Sequence, residues 1–367
     1  MGEPGTVSDV GDADAERALA EAASWDDPQL LGYHHPAYQR MLTPILGDAL
    51  RCLVVREPNG AMAGLLPYRL QRSPKGSIIN ALPFFGCTGA AAARPGAAGT
   101  VVPQLLEALR DRARAPDVFT AAFYSPFAIN PAPWMELLAP DDVLVKFTQS
   151  LSLGEGDIAW PTKRRGDLRR AADRGFVARR ATMEDAASIW SIYAENCRLA
   201  GIPLKPEAFI TGTLELAVKV GEQSPMQWLV ATLDGSVVAA LLYGRSRATG
   251  SYILPCADAQ VRASQPNAFL MDQAIRDSRA AGVRYWNFES SPEWGDPVFK
   301  FKERWGAEAT PFAIFLWYGH AAERPAAEDV AAARQTAPFY FVAPAGRPTG
   351  LWPVEVPLPA SYSGLRA

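Results

Sequence analysis

The stretch that most restricts how this chain can fold is Tyr285-Trp-Asn-Phe-Glu-Ser-Ser-Pro292, followed by Lys302 within Phe299-Lys-Phe-Lys-Glu-Arg-Trp-Gly306. Aromatic residues of high β-propensity precede Asn287 and Glu289, so the segment reads as a buried strand whose end carries an amide and a carboxylate. Open α/β sheets gather their sites at such strand ends. A short loop and a lysine-bearing turn closed by glycine complete the pattern.

Around this core signal the chain repeats one order of elements. In the first half, residues 30–46 have helical apolar spacing, 51–57 and 63–70 read as strands joined at Pro58-Asn-Gly60, and a Gly/Ala/Pro-rich stretch leads to a helix over 102–113 and a strand over 118–123. The second half runs through a helix over 164–174 and a strand over 176–180. Thr182 with Asp185 then reads as a cap for a helix over 186–200. Strands over 226–233 and 237–246 meet at Asp234-Gly235, a strong hairpin turn, and a third strand covers 249–255. A helix over 268–281 and strands over 283–288 and 312–318 close the half. Both halves thus contain helix, hairpin, strand, helix, strand, and 367 residues exceed one ordinary core. The expected division is a flexible leader over 1–23, domains over 24–155 and 156–320, and a Pro/Ala-rich tail over 321–367.

Charge excludes a protein that coats nucleic acid by bulk electrostatics, because the formal net charge is −3. One local cluster stands apart, with eight basic and two acidic residues between Lys163 and Arg180. Cys52, Cys87, Cys197 and Cys256 lie far apart, with no Cys-x-x-Cys pair, so neither a disulfide framework nor a metal site is indicated. A reducing cytoplasm is the expected location, since the opening residues lack a basic and apolar leader and no window is apolar enough to span a membrane. A monomer is expected as well.

These residues resemble the GNAT fold in the double-domain form shared by Fem-like aminoacyltransferases and the CelD-type cellulose-biosynthesis acyltransferases. The resemblance rests on His34-His-Pro-Ala-Tyr38, Gly64-Leu-Leu-Pro67 and Leu82-Pro-Phe-Phe-Gly86 in the first half. In the second it rests on Leu168-Arg-Arg170, Gly175-Phe176, Asp234-Gly235, Trp286-Asn-Phe-Glu-Ser-Ser291 and Phe301-Lys-Glu-Arg-Trp-Gly306. It implies an α/β protein of tandem GNAT-like domains, each a mixed, mostly antiparallel sheet flanked by helices. It also implies transfer of an activated acyl group to a small amine acceptor, to give an amide or an ester, with no resident cofactor and with aminoacyl-tRNA as donor. Acyl-coenzyme A is the alternative donor, and a non-catalytic module that binds RNA or a partner is the alternative class. Coenzyme A-dependent relatives carry a glycine-rich pyrophosphate loop, whereas the matching Arg262-Ala-Ser-Gln-Pro-Asn-Ala268 has no glycine and a proline that removes one N–H.

By the same resemblance Lys302 is the first catalytic choice, engaging the donor's terminal nucleotide and the reacting carbonyl; the alternative is an exposed lysine, since Phe299 and Phe301 alternate with Lys300 and Lys302. Glu289, partly desolvated at the end of an apolar strand, suits a general base, against a cap or a partner for Arg304. Tyr252, Asn287 and Phe301 are candidate pocket residues. Gln265 and Asn267 open a helix whose positive end favours an anion, although Asn267 could serve as the N-cap alone. Lys163, Arg164, Arg165, Arg169 and Arg170 could track tRNA phosphates or form a salt-bridged surface. His34, His35 and Cys197 match no nucleophile pattern.

Overall fold

The structure is a computed structural model that describes residues 5–81, 91–126, 129, 131–154, 158–291, 293–319 and 322–343. In chain order its strands are β1 (Thr6–Gly11), β2 (Ala49–Arg56), β3 (Met62–Ser73), β4 (Gly76–Asn80), β5 (Ala92–Ala93), β6 (Val118–Tyr124), β7 (Asp142–Ser152), β8 (Val177–Arg180), β9 (Met226–Leu233), β10 (Ser236–Arg245), β11 (Thr249–Ala257), β12 (Tyr285–Ser291) and β13 (Glu308–Trp317). The helices are α1 (Asp12–Ala22), α2 (Pro36–Leu46), α3 (Ala98–Ala113), α4 (Ala132–Leu138), α5 (Thr162–Arg174), α6 (Ala186–Ala200), α7 (Glu207–Val220), α8 (Pro266–Ala280), α9 (Pro297–Glu303) and α10 (Ala327–Thr336).

The two halves repeat each other in three dimensions. A β2–β3 hairpin leads to β4, α3 and β6, and a β9–β10 hairpin leads to β11, α8 and β12. In each half the strands on either side of the crossover helix are parallel neighbours, β4 with β6 and β11 with β12, while the other ladders between the longer strands are antiparallel. That is the order read from the sequence, with Asp234 and Gly235 both at positive φ in the turn between β9 and β10.

One continuous sheet joins the halves through an exchange of strands. β7, from the first half, pairs with β12 of the second, and β13, from the second half, lies between β7 and β6. Ile314 faces Tyr124 on one side of β13 and Leu144 on the other. A fragment covering residues 156–320 would therefore expose the edge of β12 that β7 covers and leave β13 without either partner. Expressed alone it is expected to be insoluble, and a soluble fragment with cooperative urea unfolding would show that each half closes its own sheet.

Several sequence expectations change. Residues 5–23 are no loose leader: β1 pairs with β2, and Ala15, Ala18, Leu19 and Ala22 of α1 are buried against Leu50, Cys52 and Leu65. β4, β7, α4 and α7 were not anticipated, although α7 follows Pro206 and is closed by Gly221 at φ 70°. The helix expected over 30–46 begins with a single 3-10 turn at Gly32–His34, and α2 starts at Pro36 with His35 as its cap. It then packs in the second half's core, with Tyr38 and Leu42 beside Phe209, Leu214 and Trp228. The segment after β13 does contain a short helix, α10, followed by a turn over 338–340; Asn80 then both donates to the Phe341 carbonyl (2.9 Å) and accepts from its N–H (2.7 Å). The motif Leu82-Pro-Phe-Phe-Gly86 and the tail beyond residue 343 lie outside the described residues. No helix among the described residues is long and apolar enough to cross a membrane.

β11 and β12 pair over only three residues, Thr249–Tyr285 to Ser251–Asn287, and then diverge. Gly250 permits that contact, because a Cβ there would come within 2.6 Å of the Trp286 ring. Gly250→Ala is expected to destabilise the chain by about 1–3 kcal/mol in urea unfolding, the usual cost of overpacking a filled core.

Candidate functional site

β12 carries its polar residues at a β-bulge. Asn287 is opposite Ser150 and Ser290 opposite Thr148, so β12 has one extra residue against β7, and Glu289 within it sits at φ 60°. A non-glycine residue in that conformation is held there by its surroundings. Lys302 supplies one restraint: its Nζ donates to the Glu289 carbonyl at 3.0 Å and to the Ser290 carbonyl at 2.8 Å. Within the turn, Glu289 N–H donates to Asn287 Oδ1 at 2.9 Å.

The Glu289 side chain, in a residue 8 % exposed, is gripped from the other half of the molecule. Tyr33 Oη donates to Glu289 Oε1 at 2.9 Å, and Asn287 Nδ2 donates to the same oxygen at 3.3 Å. Tyr33 is seated by a close backbone approach, since a Cβ on Gly32 would meet the Pro225 carbonyl oxygen at 2.6 Å. Gln39 bonds the Tyr33 carbonyl and itself accepts from Arg69 Nε at 2.9 Å, while Arg69 forms a fully buried ion pair with Asp48. Burial pushes the neighbouring Tyr38 phenol well above its ordinary pKa; the Arg69 charge opposes this and the Glu289 charge adds to it. The Tyr38 hydroxyl is buried with no hydrogen-bond partner. Tyr33→Phe should keep the fold and lower turnover about tenfold, by removing one donor from the carboxylate; an unchanged rate would show that Asn287 alone orients it.

α9 is tied down from two directions. Asp296 caps it, accepting from Phe299 N–H at 2.6 Å, with Pro297 at its first position. Gln149 of β7 donates to the Phe299 carbonyl at 3.1 Å. Beneath it, Arg164 lies 4.1 Å from the Trp305 ring centroid and 4.9 Å from that of Phe301, donates to the Phe301 carbonyl at 2.9 Å, and pairs with Asp167 at 3.0 Å.

Similarities to known proteins fit this geometry. Residues 162–302 match the family model described as an acetyltransferase (GNAT) domain. The match lies within the second half and spans α5 to α9. The crystal structure of FemX superposes with a TM-score of 0.62 at 11 % identity, over 83 % of this chain and 96 % of that one. L-PGS from Bacillus licheniformis gives 0.52 at 12 % identity, over 92 % and 98 %. The C-terminal domain of a putative lysylphosphatidylglycerol synthetase from Agrobacterium fabrum gives 0.52 at 15 %, over 84 % and 93 %. No curated protein matches the chain. At these identities the superpositions establish the fold, which runs through both halves, and acyl transfer is the chemistry for which the matched domain family is described.

Within the matched stretch several assigned roles change. Arg164 is 0 % exposed, so it is a clamp between α5 and α9 and not a phosphate ligand; burial lowers its pKa to about 10. Lys163, Arg165, Arg169 and Arg170 do face solvent on α5, although Arg170 pairs with Asp167 and Arg165 donates to Thr162 at 3.0 Å. Lys302 is 2 % exposed on α9, so the alternation expected of Lys300 and Lys302 as solvated residues fails because the segment is helical, not extended. Asn267 is the second residue of α8, not its cap; Gln265 holds that position at φ 64° without a side-chain hydrogen bond. Tyr252 stacks on Phe301 at 6.4 Å and meets Phe288 edge-on at 6.3 Å, in an aromatic cluster on the α5 side, where its buried phenol's pKa is raised by desolvation. Asn287 thus joins Glu289 directly, whereas Tyr252 and Phe301 pack beneath Arg164. Tyr33 was missed because it lies 256 residues from Glu289 and outside any motif.

Proposed function

We propose that the chain forms an amide by transferring an aminoacyl group from aminoacyl-tRNA to a small amine acceptor at the bulge of β12. The observation that carries this reading is the buried Glu289 carboxylate, held in a left-handed turn and oriented by Tyr33 and Asn287. In the step, the acceptor nitrogen attacks the ester carbonyl carbon, and the C–O bond to the ribose breaks. The proton leaving the nitrogen passes to Glu289 and then to the departing ribose oxygen. Lys302 fixes the turn from which Glu289 acts, which makes it a positioning residue. No resident cofactor is needed for this sequence.

Two features favour tRNA over acyl-coenzyme A as donor. The exposed basic face of α5 offers Lys163, Arg165, Arg169 and Arg170 to a phosphate backbone. At the start of α8, where a pyrophosphate would sit, Pro266 removes one donor and Asn267 Oδ1 is a buried acceptor without a partner, which an anion would repel. Binding of a mixed aminoacyl-tRNA pool and of acetyl-coenzyme A, measured in parallel at low and physiological salt, tests the choice. Saturable binding of charged tRNA is expected, with a salt slope that shrinks by about 2–3 in the Arg165→Glu, Arg169→Glu, Arg170→Glu triple variant. Tight binding of acetyl-coenzyme A alone would overturn the proposed donor.

A further inference from the structure

Behind the contact between Tyr33 and Glu289 runs an unbroken chain of buried side chains that begins in the first half. Arg69 of β3, 0 % exposed, donates from Nε to the Gln39 side-chain oxygen at 2.9 Å and from Nη2 to the Gln39 carbonyl at 2.6 Å. Gln39, on α2 and equally buried, donates its amide to the Tyr33 carbonyl. At the other end of the chain Arg69 pairs with Asp48, which also accepts from the Tyr340 hydroxyl. A guanidinium has only donors and a backbone carbonyl only accepts, so the Gln39 amide satisfies both neighbours in a single orientation. Tyr33 is then restrained at three points. Gln39 holds its carbonyl, Tyr38 meets its ring edge-on with centroids 5.9 Å apart, and Gly32 before it lies against the Pro225 carbonyl.

Two fully buried charges are a costly way to join α2 to β3, because apolar residues of similar volume would hold the helix as well. An apolar pair could not dictate which way the Gln39 amide faces. We propose that Arg69 and Gln39 are positioning residues for the reaction, holding Tyr33 so that its hydroxyl aims the Glu289 carboxylate. The proposal rests on the reading of Glu289 as the group that takes the proton. It assigns to the first half, outside the matched stretch, the setting of the base in the second.

Two variants and two readouts test it. Gln39→Met keeps the length of the side chain and removes both of its hydrogen bonds. The triple variant Asp48→Leu, Arg69→Met, Tyr340→Phe removes the charges together, so that none is left buried alone, and its urea midpoint is expected at or above that of the parent. Single-turnover transfer from a labelled aminoacyl-tRNA pool to glycinamide should fall about tenfold in each, with half-saturation by the donor unchanged. Added to Tyr33→Phe, either set should cost no more than about a further twofold, since nothing is left to aim; losses that multiply would mark a merely structural role and overturn the proposal. Parent-like turnover in both variants would overturn it as well. The second readout needs no turnover: the Cζ resonance of isotope-labelled Tyr33, assigned by its absence from Tyr33→Phe, should be displaced or broadened in both variants. An unchanged resonance would overturn the hold on Tyr33 and leave the chemistry of Glu289 standing. A displaced resonance beside a parent protein that transfers nothing, or one indifferent to Glu289→Gln, would instead remove the acyl-transfer reading, and the positioning role with it.

Discussion

Glu289→Gln is expected to lower turnover by about 10²–10⁴-fold while the protein remains folded, the usual range for removing a general base. Glutamine has the same shape, and its carbonyl oxygen can still accept from Tyr33 and Asn287, so the hydrogen bonds at 2.9 and 3.3 Å survive. What disappears is the ability to take a proton from the attacking amine. Single-turnover rates with a labelled acyl donor, alongside urea unfolding, separate the two effects. A variant within about threefold of the parent rate would assign Glu289 to holding the bulge and would remove the central support for the proposed chemistry.

Lys302→Met is expected to act on stability and rate together. Methionine fills much of the same volume but leaves the Glu289 and Ser290 carbonyls without the donor that reaches them at 3.0 and 2.8 Å. Two buried acceptors losing a charged donor should cost about 2–5 kcal/mol, and the turn at Glu289 loses a restraint on its left-handed conformation. Turnover should fall because the carboxylate is no longer aimed, with KM for the acyl donor little changed. A variant of unaltered urea midpoint but lost activity would return the ammonium to a direct role at the reacting carbonyl.

The sequence made the repeated order of elements legible because its signals are local: periodicity, the Asp234-Gly235 turn, and the Thr182–Asp185 cap, whose carboxylate accepts from Thr182 N–H at 2.8 Å. It also exposed one side of the site, since Asn287, Glu289 and Lys302 lie within sixteen residues and do converge. The remainder depends on contacts that no window contains. β7 reads as an ordinary apolar stretch until β12 and β13 flank it, and Tyr33 acquires a role only through its seat on β10. Arg164 shows the converse: in a run of eight basic residues it looks like its neighbours, yet the Trp305 and Phe301 rings draw it inside.

The strand exchange also sets a schedule for synthesis. β6 ends at Tyr124, but its neighbour β13 is complete only at Trp317, so a nascent chain on the ribosome must hold an unfinished sheet edge while nearly two hundred further residues are made. At translation speeds of about 5–20 residues per second, that edge waits for roughly ten to forty seconds. Neither half can be completed before the other is almost finished, and a chaperone that shields open strand edges would find its substrate in that interval.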